Sequence, residues 1–261
     1  MKRTQIIPIF SEYPEVFHPL MDGARVYGSS CSPEARVIFI DRDGGYYLKS
    51  APKGTLEKEA QLDRYFHQKG LGAEVLEYLS LEQDWLLTAR VQGEDCTHAM
   101  YLGDPIRLCD LLAERLRALH ELDHADCPVQ NRMESYFSMV EQNYRAGAFD
   151  LSYAVGYWKN PKASQLFEAL EKNQSLFKSD TLLHGDYCLP NIMLKNWKFS
   201  GFIDLGNGGV GDRHVDLFWG AWTLNFNLKT DAYRDRFFDA YGRDRVDEDM
   251  LRLVAAAEVF G

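Results

Sequence analysis

The hydrophobic period changes once along this 261-residue chain, and that change restricts the folds open to it. From Gly28 to Leu87 the pattern is one of short strands interrupted by a single helix. After Gly103 it becomes helical, broken only by three short strand-like runs. In the first region Arg36-Val37-Ile38-Phe39-Ile40 is apolar and β-branched, and Asp41-Arg42-Asp43-Gly44-Gly45 carries turn residues. Tyr46-Tyr47-Leu48-Lys49 then returns as a second strand, which predicts a hairpin. Thr55 to His67 reads as a helix whose apolar face, formed by Leu56, Leu62 and Phe66, surrounds Glu59. Two more short strands are expected near Ala73–Leu79 and Asp84–Thr88.

Downstream, Asp104-Pro105 supplies a cap and a first helical turn. Leu108, Leu112, Leu116 and Leu119 recur at helical spacing through His120. Further helices are expected over Met133–Tyr144, Ala163–Asn173, His214–Phe226, Ala232–Tyr241 and Glu248–Phe260. Short strands are expected at Thr181-Leu182-Leu183, Asn191–Leu194 and Phe199–Leu205. The pattern describes an α+β protein with a small β-rich lobe over residues 1–90 and a larger helical lobe over residues 91–261.

Composition removes several classes of function. No window of eighteen uncharged apolar residues exists, so no membrane span is expected, and no apolar run follows the basic N-terminus to suggest a signal peptide. The five cysteines (Cys31, Cys96, Cys109, Cys127, Cys188) are scattered without a CxxC pair. That suits a reducing cytoplasm and argues against disulfides or a zinc knuckle. A net charge of -10 argues against nucleic acid and anionic lipid as partners and is compatible with a cationic small substrate.

The chemistry is concentrated in His184-Gly185-Asp186-Tyr187-Cys188-Leu189-Pro190-Asn191 and in Phe202-Ile203-Asp204-Leu205-Gly206. Phosphoryl transfer from ATP needs a base that orients the acceptor hydroxyl and hard oxygen ligands for Mg²⁺. An Asp, four residues, an Asn, and a second Asp at a nearby strand end supply that set. Asp186 is the candidate base, and Asn191 and Asp204 are the candidate metal ligands. Each alone is more often a turn or strand-end residue; their order and spacing point to chemistry.

These motifs resemble the aminoglycoside 3'-phosphotransferases, a family with the protein-kinase fold. HGDYCLPNIM (His184–Met193) and GFIDLG match that family's signature closely. LLAERLRALHELD (Leu111–Asp123), DCP (Asp126–Pro128), DRHVD (Asp212–Asp216) and the terminal Glu258-Val259-Phe260 extend the likeness over nearly the whole chain. The resemblance implies an enzyme that phosphorylates a hydroxyl of a small cationic molecule, first of all an aminoglycoside 3'-hydroxyl, as in antibiotic resistance. It further implies that Lys49 contacts the α/β-phosphates and is held by Glu59. Ser32 would lie in a phosphate-covering loop at Ser29–Ser32, Tyr47 would stack on adenine, and Ala89 and Val91 would bond the base edge. Asp150, Tyr187, Asn207, Glu258 and Phe260 would face the acceptor.

Two other patterns compete. Gly206-Asn207-Gly208-Gly209-Val210-Gly211 is a literal GxGxxG, but no βαβ unit follows it; a flexible turn after Asp204 is expected instead. His120, His124 and Cys127 do not match zinc spacing and are expected to pack structurally. The chain departs from the family where the acceptor is chosen: Ala257 replaces an expected Asp, Asn207 an Arg, and the loop from Asp150 to Trp158 has one acid where several are expected. Tyr153, Tyr157, Trp158 and Tyr187 could offer ring faces there. The alternatives are therefore a kinase for another amino sugar or hydroxylated metabolite and, further off, a non-catalytic nucleotide-binding protein.

Overall fold

The computed structural model describes residues 3–30 and 35–261. The chain forms two compact units, each assembled from two separated stretches: Met1–Asp95 with Ile192–Gly206, and Cys96–Asn191 with Asn207–Gly261. Among the described residues the strands are β1 (Thr4–Ile6), β2 (Arg25–Gly28), β3 (Arg36–Asp41), β4 (Tyr46–Pro52), β5 (Val75–Ser80), β6 (Gln83–Ala89), β7 (Glu94–Asp95), β8 (Thr181–Leu183), β9 (Ile192–Lys195), β10 (Lys198–Phe202) and β11 (Gly209–Gly211). The helices are α1 (His18–Met21), α2 (Glu57–Gln68), α3 (Ala99–Leu102), α4 (Pro105–His120), α5 (Arg132–Ala146), α6 (Ala163–Asn173), α7 (His214–Leu228), α8 (Arg234–Tyr241) and α9 (Glu248–Glu258).

The first unit is built on a six-stranded antiparallel sheet in the order β1-β2-β3-β4-β6-β5. The expected hairpin is β3–β4, with Ile38 opposite Leu48 and Phe39 opposite Tyr47. Strand alternation sends Ile38, Ile40 and Leu48 into a core with Phe17, Met21 and Trp85. Ala60 of α2 and Leu56, the residue that precedes the helix, pack with Leu86 and Ala51 in a second cluster. A smaller sheet, β10-β9-β7, completes the unit. β1, β2 and the turns from Phe10 to Phe17 were not expected. TQI and RVYG are short and mix polar with apolar residues, so neither gives the apolar run that marks the equally short β8 and β9.

In the second unit, α4 buries Leu108, Leu112, Leu116 and Leu119 on one face, and Asp104 caps it by accepting the Arg107 N–H at 3.3 Å. α7 is apolar nearly all round and mostly buried, as a central helix must be. α8 packs on α4, and α6 on α9.

The Gly206–Gly211 segment corrects an expectation. Instead of a flexible turn, its second half is β11, buried and paired antiparallel with β8 from Gly209–Leu183 to Gly211–Thr181. The glycines there permit close approach: a Cβ on Gly209 would meet Val129 at 2.7 Å. No helix among the described residues is long and apolar enough to cross a membrane. Cys96, Cys109, Cys127 and Cys188 are buried and none of them is in a disulfide.

Candidate active site

Two constellations, one in each unit, contain the residues singled out above. In the first unit, Lys49 sits mid-strand on β4, between Val37 of β3 and Leu86 of β6. Its Nζ donates to both oxygens of Glu59, at 2.9 and 2.8 Å, and to Asp204 Oδ1 at 3.1 Å. Burial alone would lower the ammonium's pKa, but the Glu59 and Asp204 carboxylates outweigh it and raise the value, so Lys49 stays charged. Burial pushes the Glu59 carboxyl upward against the pull of Lys49.

Asp204 follows β10 in the left-handed region, at φ 61°, a conformation that an Asp tolerates better than most residues. Its side chain is 55% exposed, so it remains available to a ligand. One turn along α2 from Glu59, Asp63 is also buried, and burial together with the Glu59 charge holds its carboxyl well above the usual range. Sequence reading missed Asp63, although its i+4 spacing from Glu59 places it on the same helix face.

The same unit contains a cavity of about 170 Å³ whose lining includes Arg3, Tyr47, Arg90, Val91, Met193 and Ile203, together with the Gly93–Asp95 segment. An aromatic ring and three apolar side chains suit a planar base. Ala89 ends β6 with its N–H already donated to the Glu74 carbonyl at 2.9 Å. Ser32 lies outside the described residues.

In the second unit, β8 leads into the His184–Asn191 loop. Asp216, fully buried on α7, accepts the backbone N–H groups of His184 and Gly185, each at 2.8 Å. Its other contact is His120 Nε2 at 3.2 Å, and His120 Nδ1 lies 2.8 Å from the Tyr241 hydroxyl. Burial lowers the pKa of His120 and keeps the ring neutral. Burial would raise Asp216, but His120 and the Gly185 N–H hold it below the ordinary carboxylate value.

Gly185 has φ 85°, and a Cβ there would fall 1.8 Å from the Asn207 carbonyl oxygen, so only glycine fits. Asp186 is half-buried. Asn191 Nδ2 donates to Asp186 Oδ2 at 2.8 Å and to its backbone carbonyl at 3.1 Å. That assignment leaves the amide oxygen of Asn191 as its hard-ligand atom.

Arg132 of α5 carried no sequence signal, yet it is nearly buried against this loop. Its Nε donates to the Asn207 carbonyl and its Nη2 to that of Gly185 at 3.4 Å, and the guanidinium lies 4.8 Å from the Tyr136 ring centre. A cation is thus present at Asn207 despite the missing arginine there, supplied from another helix.

The acceptor-side residues divide. Glu258 is buried; desolvation lifts its pKa to about 7 against hydrogen bonds from the Tyr136 hydroxyl, at 2.7 Å, and the Trp219 indole. Asp150 is exposed and caps a short turn by accepting the Ser152 N–H at 2.9 Å. Two of these residues are packed inward. The Tyr187 ring is fully buried with its hydroxyl on the Leu112 carbonyl, and Phe260 packs edge-on against Tyr144 and Phe167. Neither ring is free to meet a ligand. Trp158 is covered by Arg252, 4.0 Å from its ring centre. Tyr153 joins Trp219 and Trp222 of α7 at centroid distances of 5.6 and 5.8 Å.

His120, His124 and Cys127 go to separate partners; the latter two contact the Leu122 and Val129 carbonyls. No group of three or more His, Cys, Asp or Glu among the described residues could hold a metal by itself.

Residues 25–253 match the APH phosphotransferase enzyme family. A Lactococcus lactis protein described as a probable aminoglycoside 3'-phosphotransferase is 53% identical over 251 residues, covering 96% of this chain and 95% of that one. Among solved structures, an aminoglycoside-3'-phosphotransferase of type VIII superimposes with a TM-score of 0.73 at 23% identity over 96% of both chains. The phosphotransferase APH(3'')-Id of Streptomyces rimosus, solved with ADP and streptomycin, gives 0.72 at 24% identity over 86% of this chain and 90% of that one. With its protein-kinase-like α+β fold, the chain belongs to the APH phosphotransferase enzyme family, alongside the aminoglycoside 3'-phosphotransferases.

Proposed function

We propose that this protein uses ATP and Mg²⁺ to phosphorylate an aminoglycoside, at the 3'-hydroxyl. The observation that carries the reading is the Lys49 ammonium gripped by Glu59 and Asp204. A lysine raised in pKa and fixed by a buried carboxylate is a permanent cation suited to nucleotide phosphates. The ADP and streptomycin bound to the Streptomyces rimosus relative support the same donor and acceptor classes.

In this reading Tyr47 and Val91 hold the base, with Ala89 and Ser32 as further nucleotide contacts. Asp186 accepts the acceptor hydroxyl's proton as that oxygen bonds to the γ-phosphorus and the bridge to ADP breaks. Asn191 and Asp204 offer an amide oxygen and an exposed carboxylate, a donor set that fits Mg²⁺, which is commonly held by one or two protein oxygens together with phosphates. When bound, Mg²⁺ neutralises charge on the phosphates.

A second acceptor, a less cationic amino sugar, is favoured by one observation. Tyr153, Trp219 and Trp222 present clustered rings, and the hydroxyl of Tyr153 feels the charges of Asp150, Glu258 and Asp186. Asp150, Glu258 and the Asn207 segment would then act beside ring faces instead of within a ring of carboxylates.

The test is ADP release with Mg²⁺ and a panel of aminoglycosides and amino sugars, with the product located by NMR. Asp186→Asn should lower transfer by about 10²–10⁴-fold while ADP still binds. Transfer retained in that variant removes Asp186 as base. A panel with no aminoglycoside stimulation removes the acceptor but not the family.

A further inference from the structure

The cavity of the first unit has one wall that the catalytic motifs do not account for. Arg3, just ahead of β1, lies far from every motif in sequence, yet it lines the same cavity as Tyr47 and Val91. Its Nη2 donates to the Tyr47 hydroxyl at 2.5 Å, and its guanidinium carbon stands 3.7 Å from the centre of the Phe39 ring and 5.6 Å from that of Tyr47.

These contacts belong to a ladder of rings. Tyr27, Phe39 and Tyr47 are direct register partners across β2, β3 and β4, with centroids 6.2 and 5.1 Å apart. Residues opposite one another in an antiparallel sheet share a face, so the three rings and Arg3 lie on one side of it. Phe39 is itself fixed from below by Gly45, at φ 102°, where a Cβ would strike the ring at 2.6 Å. Arg90, a second cavity-lining arginine, approaches Phe39 at 5.8 Å.

A tyrosine at the rim of an open cavity has two χ angles to fix before it can stack on a ligand. A hydrogen bond to its hydroxyl from a planar guanidinium that is itself stacked on Phe39 fixes it at small entropic cost. We propose that Arg3 is a positioning residue of the nucleotide site: it locks Tyr47 in the orientation that stacks on the base and closes the outer rim of the pocket over a nucleoside. This rests on the donor-side reading of the cavity given above.

The test uses the full chain and ADP without Mg²⁺ or acceptor, followed by ATP kinetics with the best acceptor. Arg3→Ala should weaken ADP binding by about fivefold, the net worth of one ordinary hydrogen bond that acts through Tyr47. It should raise the ATP KM to a similar degree with kcat nearly unchanged, whereas a general loss of structure would lower kcat and the melting temperature together. Arg3→Lys, which keeps charge and a donor but loses the planar stack, should recover part of the loss. Tyr47→Phe should make Arg3→Ala nearly silent, because the hydroxyl through which Arg3 acts is gone. If wild-type protein binds no adenine nucleotide, the donor-side reading fails. If wild type binds and Arg3→Ala binds equally well or more tightly, or if the Arg3 and Tyr47 losses simply add, the positioning role is overturned and the reading of the pocket stands.

Discussion

Replacing Asp216 by Asn keeps the volume of the side chain and changes one acceptor oxygen into a donor. Three groups converge on that carboxylate: the His184 and Gly185 N–H groups at 2.8 Å and the His120 ring at 3.2 Å. An amide has one acceptor oxygen, so at least one N–H of the loop that carries Asp186 must face an NH₂ group. A hydrogen bond to a charged group contributes about 1.5–3 kcal/mol, and an unsatisfied buried donor costs a comparable amount. Because His120 is neutral, no full ion pair is broken, and we expect a loss of about 3 kcal/mol in urea denaturation at pH 7.5.

The pH dependence adds an independent check. Asp216 is depressed in the folded state, so its contribution is present above the unfolded value of about 3.9 and is lost as pH falls through the folded one. His120 is depressed too, by burial; the stability tied to its neutral form is present above about 6.5 and lost on acidification below that, and more so in the variant, where the Asp216 charge no longer supports a protonated ring. The gap between wild type and Asp216→Asn should therefore persist from pH 8 to about 5 and close only in stronger acid. A gap under about 0.5 kcal/mol, or one that closes between pH 7 and 6, would show that the carboxylate does not hold this loop.

Gly185→Ala should lower the melting temperature and disable transfer, since its Cβ overlaps the Asn207 carbonyl; an unchanged melting curve would contradict the geometry. Asp63→Asn should stabilise the protein at neutral pH. The raised carboxyl contributes stability below about 3.9 that is lost as pH rises through its folded value, at about 1.4 kcal/mol per unit of displacement. The variant's advantage should thus grow with pH, and a constant difference between pH 4 and 8 would exclude this cause. Lys49→Ala leaves the buried Glu59 carboxylate without its cation, so the ATP KM should rise at least tenfold, on the order of 1.4 kcal/mol; unchanged steady-state kinetics would remove Lys49 from the phosphate site.

What could be read from the sequence followed from period and spacing. β3, β4, α2 and α4 were visible because each runs long enough for its apolar face to repeat. The Lys49–Glu59 contact could be anticipated because a charge set in an apolar helix face requires a partner. β1 and β2 were hidden because each is short and carries only one or two apolar side chains among polar ones, unlike the equally short apolar β8, and β11 by its glycines, which give no hydrophobic signal even when buried. Side-chain direction was the other gap. Tyr187 stands next to Asp186 in sequence but turns inward to Leu112, and nothing in HGDYCLPN shows that. Arg132 is 53 residues from the Gly185 carbonyl it reaches, and a cation that bonds main-chain oxygens imposes no residue type on its partners. Asp216 was visible as part of DRHVD, but its work on backbone N–H groups was not, for the same reason.

The first unit borrows Ile192–Gly206 from beyond most of the second. A ribosome therefore releases Met1–Asp95 without β9, β10 or Asp204 and must add roughly a hundred residues before they arrive, on the order of ten seconds at ~5–20 residues per second. Throughout that interval β7 has no strand to pair with and Lys49 has only one of its two carboxylates. Nascent chains shorter than about 206 residues are thus the species most dependent on chaperones, and cutting the gene after Asp95 would strip β9, β10 and Asp204 from the first unit while leaving them attached to the fragment that carries the second.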